Sequence, residues 1–158
     1  MVEPRHVHLI AAKHVLRYLK GTIDYGLRYV ADCEFRLVGY TNSDWAGSVT
    51  DRKSTSGCCS RLGSAVIAWR SRKHSSLELS TTEEEYIAVC SASSEVVWLR
   101  KMLLGLFDLE MDATCIYCYN QSCIKLSENP VFHDKSKHIE IKYQYIYDMV
   151  EKGVVKLQ

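Results

Sequence analysis

Apolar residues recur at helical and strand spacings along the first half of the chain. Residues 5–20 carry an apolar side chain every three or four positions, which predicts a helix ended by Gly21. Two stretches of strand formers follow, YGLRYV at 25–30 and FRLVGYT at 35–41. The stretch CCSRLGSAVIAWRSRKH at 58–74 predicts a hairpin that turns at Gly63 and Ser64.

Helical periodicity dominates the second half. A helix of about 25 residues is predicted from Thr81 to about Leu106, followed by a short strand in TCIYCY and a short helix in NQSCIKLSEN. IEIKYQYIYDMVEKG predicts another helix, and VVKLQ a final strand. Antiparallel strands followed by β-α-β units predict an α/β fold with a mixed sheet and helices packed against it. The helix at 5–20 precedes the first strand and is expected to belong to an upstream unit.

The long helix carries the most informative acid. Glu85 lies four residues before the start of an apolar stripe that is expected to face the sheet: Val89, Ala92, Val96, Leu99 and Leu103. A carboxylate at the head of a buried stripe needs a partner such as a cation, unless its oxygens reach water at the margin of the core. Glu84 is instead expected to form a capping box with Thr81, and the row it begins is expected to face solvent: Ala88, Ser91 and Glu95.

Length and charge limit the classes of function. The 158 residues form one domain by size, and a net charge of +1 provides no overall attraction for polyanions. Nucleic-acid binding would therefore depend on a local basic patch. No apolar run reaches the roughly 18 residues of a membrane span, and MVEPRHVHL does not resemble a secretory signal, so we expect no membrane partner and an intracellular location, in cytoplasm or nucleus.

The seven cysteines are interpreted as reduced thiols, since the count is odd and the chain is too long to need a disulfide framework. Cys115 and Cys118 form a C-x-x-C pair. Residues three apart on a strand face opposite ways, and no second pair stands at zinc-finger spacing, so zinc is not favoured.

Basic and hydroxyl side chains cluster after the first predicted strand and at the end of the hairpin. Phosphate contacts favour such groups, although a solvated charged loop would show the same pattern. The candidate nucleic-acid-binding residues are Arg52, Lys53, Ser54, Thr55, Arg70, Arg72 and Lys73. Trp45 either stacks on a base or sugar or packs in the core, and Trp69 and Trp98 are predicted to be core residues.

Six longer motifs connect the chain to a known family: AAKHVLRYLKGTIDYGL, GYTNSDWAGSVTDRKSTSG, LSTTEEEYIA, VVWLRKML, IYCYNQSCIKLSENPVFH and KHIEIKYQYI. Through them it resembles the ribonuclease H domain of copia-type LTR-retrotransposon polyproteins over almost its whole length. The resemblance implies a ribonuclease H-like α/β fold, with a five-stranded mixed sheet flanked by helices. It also implies a parent activity that cuts RNA in RNA–DNA hybrids with Mg²⁺. By the same resemblance, residues 1–30 are the end of the reverse transcriptase with its connection helix, and residues 31–158 are a C-terminally truncated ribonuclease H-like domain.

The resemblance implies four catalytic acids, of which this chain retains Glu85. The first acid corresponds to Asn42, the third to Tyr119, and the fourth would lie beyond Gln158. An amide offers one neutral oxygen, and a phenol is neutral at pH 7 and bulky, so neither replaces a carboxylate as a ligand for Mg²⁺. Asp44 is a marginal candidate for a second ligand beside Glu85, because it lies two residues beyond Asn42 and thus beyond the predicted end of the strand.

Three interpretations follow. In the leading one, the domain has lost hydrolysis, needs no cofactor, and either retains RNA–DNA hybrid or RNA binding or serves in protein interaction. In the second, it is a residually active Mg²⁺-dependent hybrid ribonuclease that uses Glu85 and Asp44. In the third, it is an interaction module for an unidentified protein partner and has no nucleic-acid role.

Overall fold

A computed structural model describes residues 3–44, 47, 50–74, 81–128 and 137–158, and within 121–158 it leaves out the side chains of 126, 128 and 137–140. The elements of these residues, in chain order, are α1 (His6–Gly21), β1 (Leu37–Asp44), β2 (Thr55–Leu62), β3 (Ala65–Lys73), α2 (Thr81–Phe107), β4 (Thr114–Tyr117), α3 (Gln121–Glu128), α4 (Lys137–Glu151) and β5 (Val155–Leu157).

The five strands form one mixed sheet in the order β3-β2-β1-β4-β5. β1 runs antiparallel to β2 and β2 to β3, whereas β1 with β4 and β4 with β5 are parallel. The β2–β3 hairpin turns at Gly63, whose φ of 58° suits a residue without a Cβ. The predicted α/β fold, its mixed sheet and the position of the hairpin turn are confirmed.

α2 packs on the sheet through the stripe predicted from its periodicity. Its five apolar members are at most 3% exposed, and four of them, Val89, Ala92, Val96 and Leu99, join one core with residues of β4, α4 and β5. The helix approaches β1 closely at Gly39, where an added Cβ would lie 3.1 Å from Ile116 Cγ1 and 3.3 Å from Val96 Cγ2. On another side α2 contacts α4, where the Tyr86 and Tyr143 rings stack at 3.6 Å between centroids. The helix therefore packs against the sheet on one side and against a second helix on another.

The predicted strand at 25–30 is wrong. This segment has no regular structure and meets the hairpin through isolated bonds, from Tyr29 Oη to the Val66 carbonyl (2.8 Å) and from the Val30 amide to Ser64 Oγ (3.0 Å). Both sides of β1 are already occupied by β2 and β4, so a strand former preceding β1 in the chain finds no vacant neighbour there.

The core assignment of two tryptophans is also wrong. Trp69 is 73% exposed and Trp98 59% exposed. Trp69 lies level with Cys59 on the sheet face opposite the one that α2 covers, and β3 is an edge strand. Trp98 lies on the outward side of α2, between the buried positions Val96 and Leu99 in sequence. Apolar character alone does not tell which face of an amphipathic element is covered.

α1 contributes nothing to the core. None of its residues is buried, and its larger apolar side chains, Val7, Leu9, Ile10, Val15, Leu16, Tyr18 and Leu19, are all exposed. So much apolar surface on one short helix is unusual for an isolated domain. Within the described residues, no helix has both the length and the hydropathy required to cross a bilayer.

Candidate functional site

The neighbouring parallel strands β1 and β4 end at the same edge of the sheet. Tyr40 lies level with Tyr117, and their rings stack with centroids 5.4 Å apart and planes inclined by 21°. Asn42 and Tyr119 each follow two residues later, and both are exposed. Together these side chains line a cavity of about 600 Å³ that also reaches Cys118. The structure therefore brings two of the sequence-predicted positions, Asn42 and Tyr119, to one site.

Glu85 approaches the same region from the first turns of α2. It is half-buried, and its Oε2 is enclosed without a hydrogen-bond partner among the described residues. Its negative charge acts on the Cys118 thiol at the end of β4. A hydrogen bond with Cys123 is the main reason that the pKa of Cys118 falls to about 7, while burial and then the Glu85 charge act in the opposite direction. Glu85 is not among the described residues that line the cavity, but its charge acts on Cys118, which does line it.

The expectation that Glu84 faces solvent is wrong, because its side chain is fully buried. The row that it begins faces strands β2 and β3. Cys58 Sγ donates to Glu95 Oε2 at 3.7 Å, and Arg70 donates to the Ser91 hydroxyl. The periodicity of α2 indicated one buried stripe, but a sheet with two further strands beside β1 extends under the adjacent face as well.

Asp44 is placed differently from Glu85. It is the last residue of β1, pairs with Thr55, and is exposed. Its carboxylate lies against Gly47, where an added Cβ would overlap all three carboxylate atoms. It is not among the described residues that line the cavity. The geometry fits the turn role considered for Asp44 better than a shared metal site with Glu85.

The donor set at the cavity does not fit a pair of Mg²⁺ ions. The three family positions supply a neutral amide, a phenol and one carboxylate, whereas hard cations of this charge take several anionic oxygens. In the described part of the chain, no three His, Cys, Asp or Glu side chains cluster as metal ligands. Trp45, considered for stacking, lies outside the described residues.

The basic cluster gathers where β2 begins and β3 ends. Thr55 pairs with Lys73, Ser56 pairs with Arg72, and Arg52 and Lys53 precede β2. Lys73 Nζ lies 2.9 Å from Asp51 Oδ1 in a partly exposed ion pair, a type that contributes little stability.

Two of the candidate nucleic-acid-binding residues, Ser54 and Arg70, are less available to a phosphate than the others. Ser54 is 1% exposed, so its hydroxyl does not reach a phosphate in this conformation. Arg70 is directed to Ser91 on α2 and also lines the cavity. The exposed basic end consists of the exposed side chains of Arg52, Arg72 and Lys73 together with the half-buried Lys53.

Sequence reasoning missed the stacked tyrosine pair and the thiols around the cavity. Tyr40 and Tyr117 each lie two residues before a family acid position, so the parallel pairing of the two strands would have revealed them. Cys58 also lines the cavity; burial, followed by the Glu95 charge, raises the pKa of its thiol to about 11. Tyrosines and thiols make this cavity mainly uncharged.

Comparison with known proteins identifies the family. The Retrovirus-related Pol polyprotein from transposon TNT 1-94 of Nicotiana tabacum is 38% identical over 156 residues, which cover 98% of this chain and 11% of the polyprotein. The corresponding polyprotein from transposon RE1 of Arabidopsis thaliana is 38% identical over 154 residues, covering 98% of this chain and 10% of its own. The chain belongs to the copia-type retrotransposon Pol polyprotein family. It spans about a tenth of the length of these relatives.

A shorter relative exists beside the polyproteins. The Secreted RxLR effector protein 161 of Plasmopara viticola is 45% identical over 97 residues, covering 61% of this chain and 68% of that protein. No protein-family model matches the chain. A stretch similar to part of this retrotransposon domain thus also occurs in a much smaller protein.

Solved structures confirm that the domain has a ribonuclease H fold. LC11-RNase H1 in complex with RNA/DNA hybrid superposes with a TM-score of 0.52 at 13% identity, covering 77% of this chain and 81% of that one. RNase H1 from Halobacterium salinarum gives 0.52 at 12% identity, with 77% and 82% covered. At these identities the likeness concerns the fold alone.

Proposed function

We propose that this chain is a retrotransposon-derived ribonuclease H-fold domain that does not hydrolyse RNA. The observation that supports it is the shared end of β1 and β4, where Asn42 and Tyr119, the residues that the sequence resemblance assigns to two family acid positions, line one cavity. Two-metal hydrolysis requires anionic oxygens that hold two cations about 4 Å apart. Glu85 alone does not supply them, and Asp44 is turned toward Gly47.

Hybrid cleavage tests the proposal directly. The chain and its Glu85→Ala variant should give the same background with a labelled RNA–DNA hybrid in Mg²⁺ or Mn²⁺, since the remaining carboxylate cannot assemble the site. The measurement is gel-resolved cleavage over hours at several protein concentrations. Metal-dependent cutting that Glu85→Ala abolishes would instead establish a residually active ribonuclease, the second interpretation.

We further propose that the exposed basic end retains contacts with the phosphates of an RNA–DNA hybrid or RNA. Lys53→Ala and Arg72→Ala should each weaken hybrid binding and reduce the steepness of log K against log salt by about 0.7–0.9. Each phosphate contact that is lost means that one fewer counterion leaves the nucleic acid on binding. Fluorescence anisotropy from 50 to 200 mM salt measures both quantities.

Lys101→Ala is the matched control, because Lys101 is exposed on α2 and belongs to a different surface. It should bind hybrid like the unmodified chain. Absence of binding at 50 mM salt, or equal effects of all three substitutions, would favour the interaction module without a nucleic-acid role.

We also propose that residues 1–30 are a unit separate from the domain of residues 31–158. The absence of any buried residue in α1 supports this division, and the bonds of Tyr29 and Val30 to the hairpin support a junction at the end of that unit. The double substitution Val15→Lys/Leu19→Lys should leave the melting temperature unchanged within about 2 °C, because both side chains are more than half exposed. It should also reduce self-association in size-exclusion chromatography, by removing apolar surface. A clear fall in the melting temperature would show that α1 packs on the folded domain.

A further inference from the structure

Two cysteines flank the turn between β4 and α3. Cys118 directly follows β4, is 8% exposed, and lines the cavity, whereas Cys123 is the third residue of α3 and is fully buried. Neither has a part in the proposed function.

The turn ties both cysteines to Asn120. The Asn120 carbonyl oxygen accepts from Cys118 Sγ at 3.6 Å and from the Cys123 amide at 3.0 Å. Asn120 Oδ1 accepts from the amides of Ser122 (2.9 Å) and Cys123 (3.3 Å), which caps the first turn of α3. A hydrogen bond with the Cys123 side chain lowers the pKa of the Cys118 thiol, and Cys123 Sγ also donates to the Thr82 carbonyl at 3.8 Å.

The other thiols have different neighbours. Cys115 Sγ donates to Gln158 Oε1 at 2.9 Å, Cys58 Sγ to Glu95, and Cys33 Sγ to the Val30 carbonyl at 3.2 Å. Cys115 and Cys118 are the C-x-x-C pair of the sequence, but residues three apart along an extended chain face opposite ways, and Cys115 Sγ is directed to Gln158. The contact at the β4–α3 turn therefore favours pairing of Cys118 with Cys123.

We propose that Cys118 and Cys123 are a redox-active pair that forms a reversible disulfide when the chain meets hydrogen peroxide. Cys118 is the residue that meets the oxidant, because it opens onto the cavity while Cys123 is enclosed. A disulfide requires the two sulfurs to approach to about 2.05 Å.

The chemistry balances in two steps. The Cys118 sulfur attacks one peroxide oxygen, the O–O bond breaks, and the thiol becomes a sulfenic acid as one water leaves. The Cys123 sulfur then attacks the Cys118 sulfur, the S–O bond breaks, and a second water leaves with the Cys123 proton. Two thiols are oxidised by two electrons, and one hydrogen peroxide is reduced to two waters. A dithiol reductant reverses the reaction by exchange.

Thiol counting tests the proposal on the intact chain. All seven cysteines are free, so maleimide labelling after denaturation should count seven thiols before peroxide treatment and five afterwards, returning to seven with dithiothreitol. Chymotryptic cleavage after Tyr117 and Tyr119 separates Cys115, Cys118 and Cys123 onto different peptides. Mass spectrometry should then find the Cys118 peptide linked to the Cys123 peptide.

Single substitutions identify the pair. Cys118→Ser should keep six labelled thiols under the same peroxide treatment. Cys123→Ser should lose one of its six, because Cys118 stops at the sulfenic acid, and it should give no linked peptide. Cys90→Ser, which removes a half-buried thiol of α2, should still lose two. Circular dichroism before treatment shows whether each variant is folded, and Cys123→Ala replaces Cys123→Ser if the hydroxyl is not tolerated at this buried position. A Cys115–Cys118 link, over-oxidised Cys118 beside a labelled Cys123, or folded protein in which peroxide oxidises Cys33 while Cys118 and Cys123 both remain labelled would each overturn the proposal.

Discussion

Restoring two acids should restore hydrolysis. The chain with Asn42→Asp and Tyr119→Asp, extended by the segment that follows the aligned stretch in the tobacco polyprotein, should cleave RNA–DNA hybrid in Mg²⁺ at least about 100-fold faster than the extended chain without the substitutions. Metal assistance contributes several kcal/mol of transition-state stabilisation, and each 1.36 kcal/mol is a factor of ten in rate. Asn42 and Tyr119 are the positions to change because both line one cavity at the shared end of β1 and β4.

Two further substitutions in the restored chain separate the acids by role. Glu85→Ala should remove the regained activity, since it removes the acid contributed by α2. Asp44→Asn should retain most of it, because Asp44 is directed to Gly47 rather than to the cavity. A restored variant that is folded and binds hybrid but does not cut it would contradict the assignment of the acid positions.

Loss of the buried face of α4 should destabilise the whole domain. Ile146 is fully buried in the core that α2, the sheet and α4 share, so Ile146→Ala should lower the free energy of unfolding by about 2–5 kcal/mol through lost burial and the cavity left behind. Ile141 is 70% exposed on the same helix, and Ile141→Ala should change the free energy of unfolding by no more than about 0.5 kcal/mol.

Chemical denaturation followed by circular dichroism measures this difference. The two variants make the same chemical change on one helix, so intrinsic helix propensity cancels in the comparison. Equal losses of stability would mean that α4 does not pack on α2 as the Tyr86–Tyr143 stack indicates.

Local patterns predicted much of this fold because they act over a few residues. The buried stripe of α2 and the turn at Gly63 follow from periodicity and backbone freedom, and both are observed. The error at residues 25–30 arose because strand formers need a vacant neighbour, and the vacancy depends on the order of all five strands. Burial of Glu84 has the same origin, since the extent of the sheet under α2 is a property of the whole fold.

The candidate site was predicted unevenly for a similar reason. Glu85 was chosen from its position at the head of the α2 stripe, and family motifs pointed to Asn42 and Tyr119. The stack of Tyr40 on Tyr117 depends on parallel pairing between strands far apart in the chain, which periodicity does not encode. The hydrogen bond of Cys118 with Cys123 depends on how Asn120 shapes one turn.

The outermost position of β3 has a consequence for solubility. Tyr29 meets this strand near its start, but the stretch from Arg70 to Lys73 runs along an edge of the sheet. An uncovered edge is a template on which a second molecule can add a strand, and cationic side chains oppose that addition. Arg72 and Lys73 place cationic side chains on this edge, so Arg72→Ala should shorten the lag time of aggregation under mild heating.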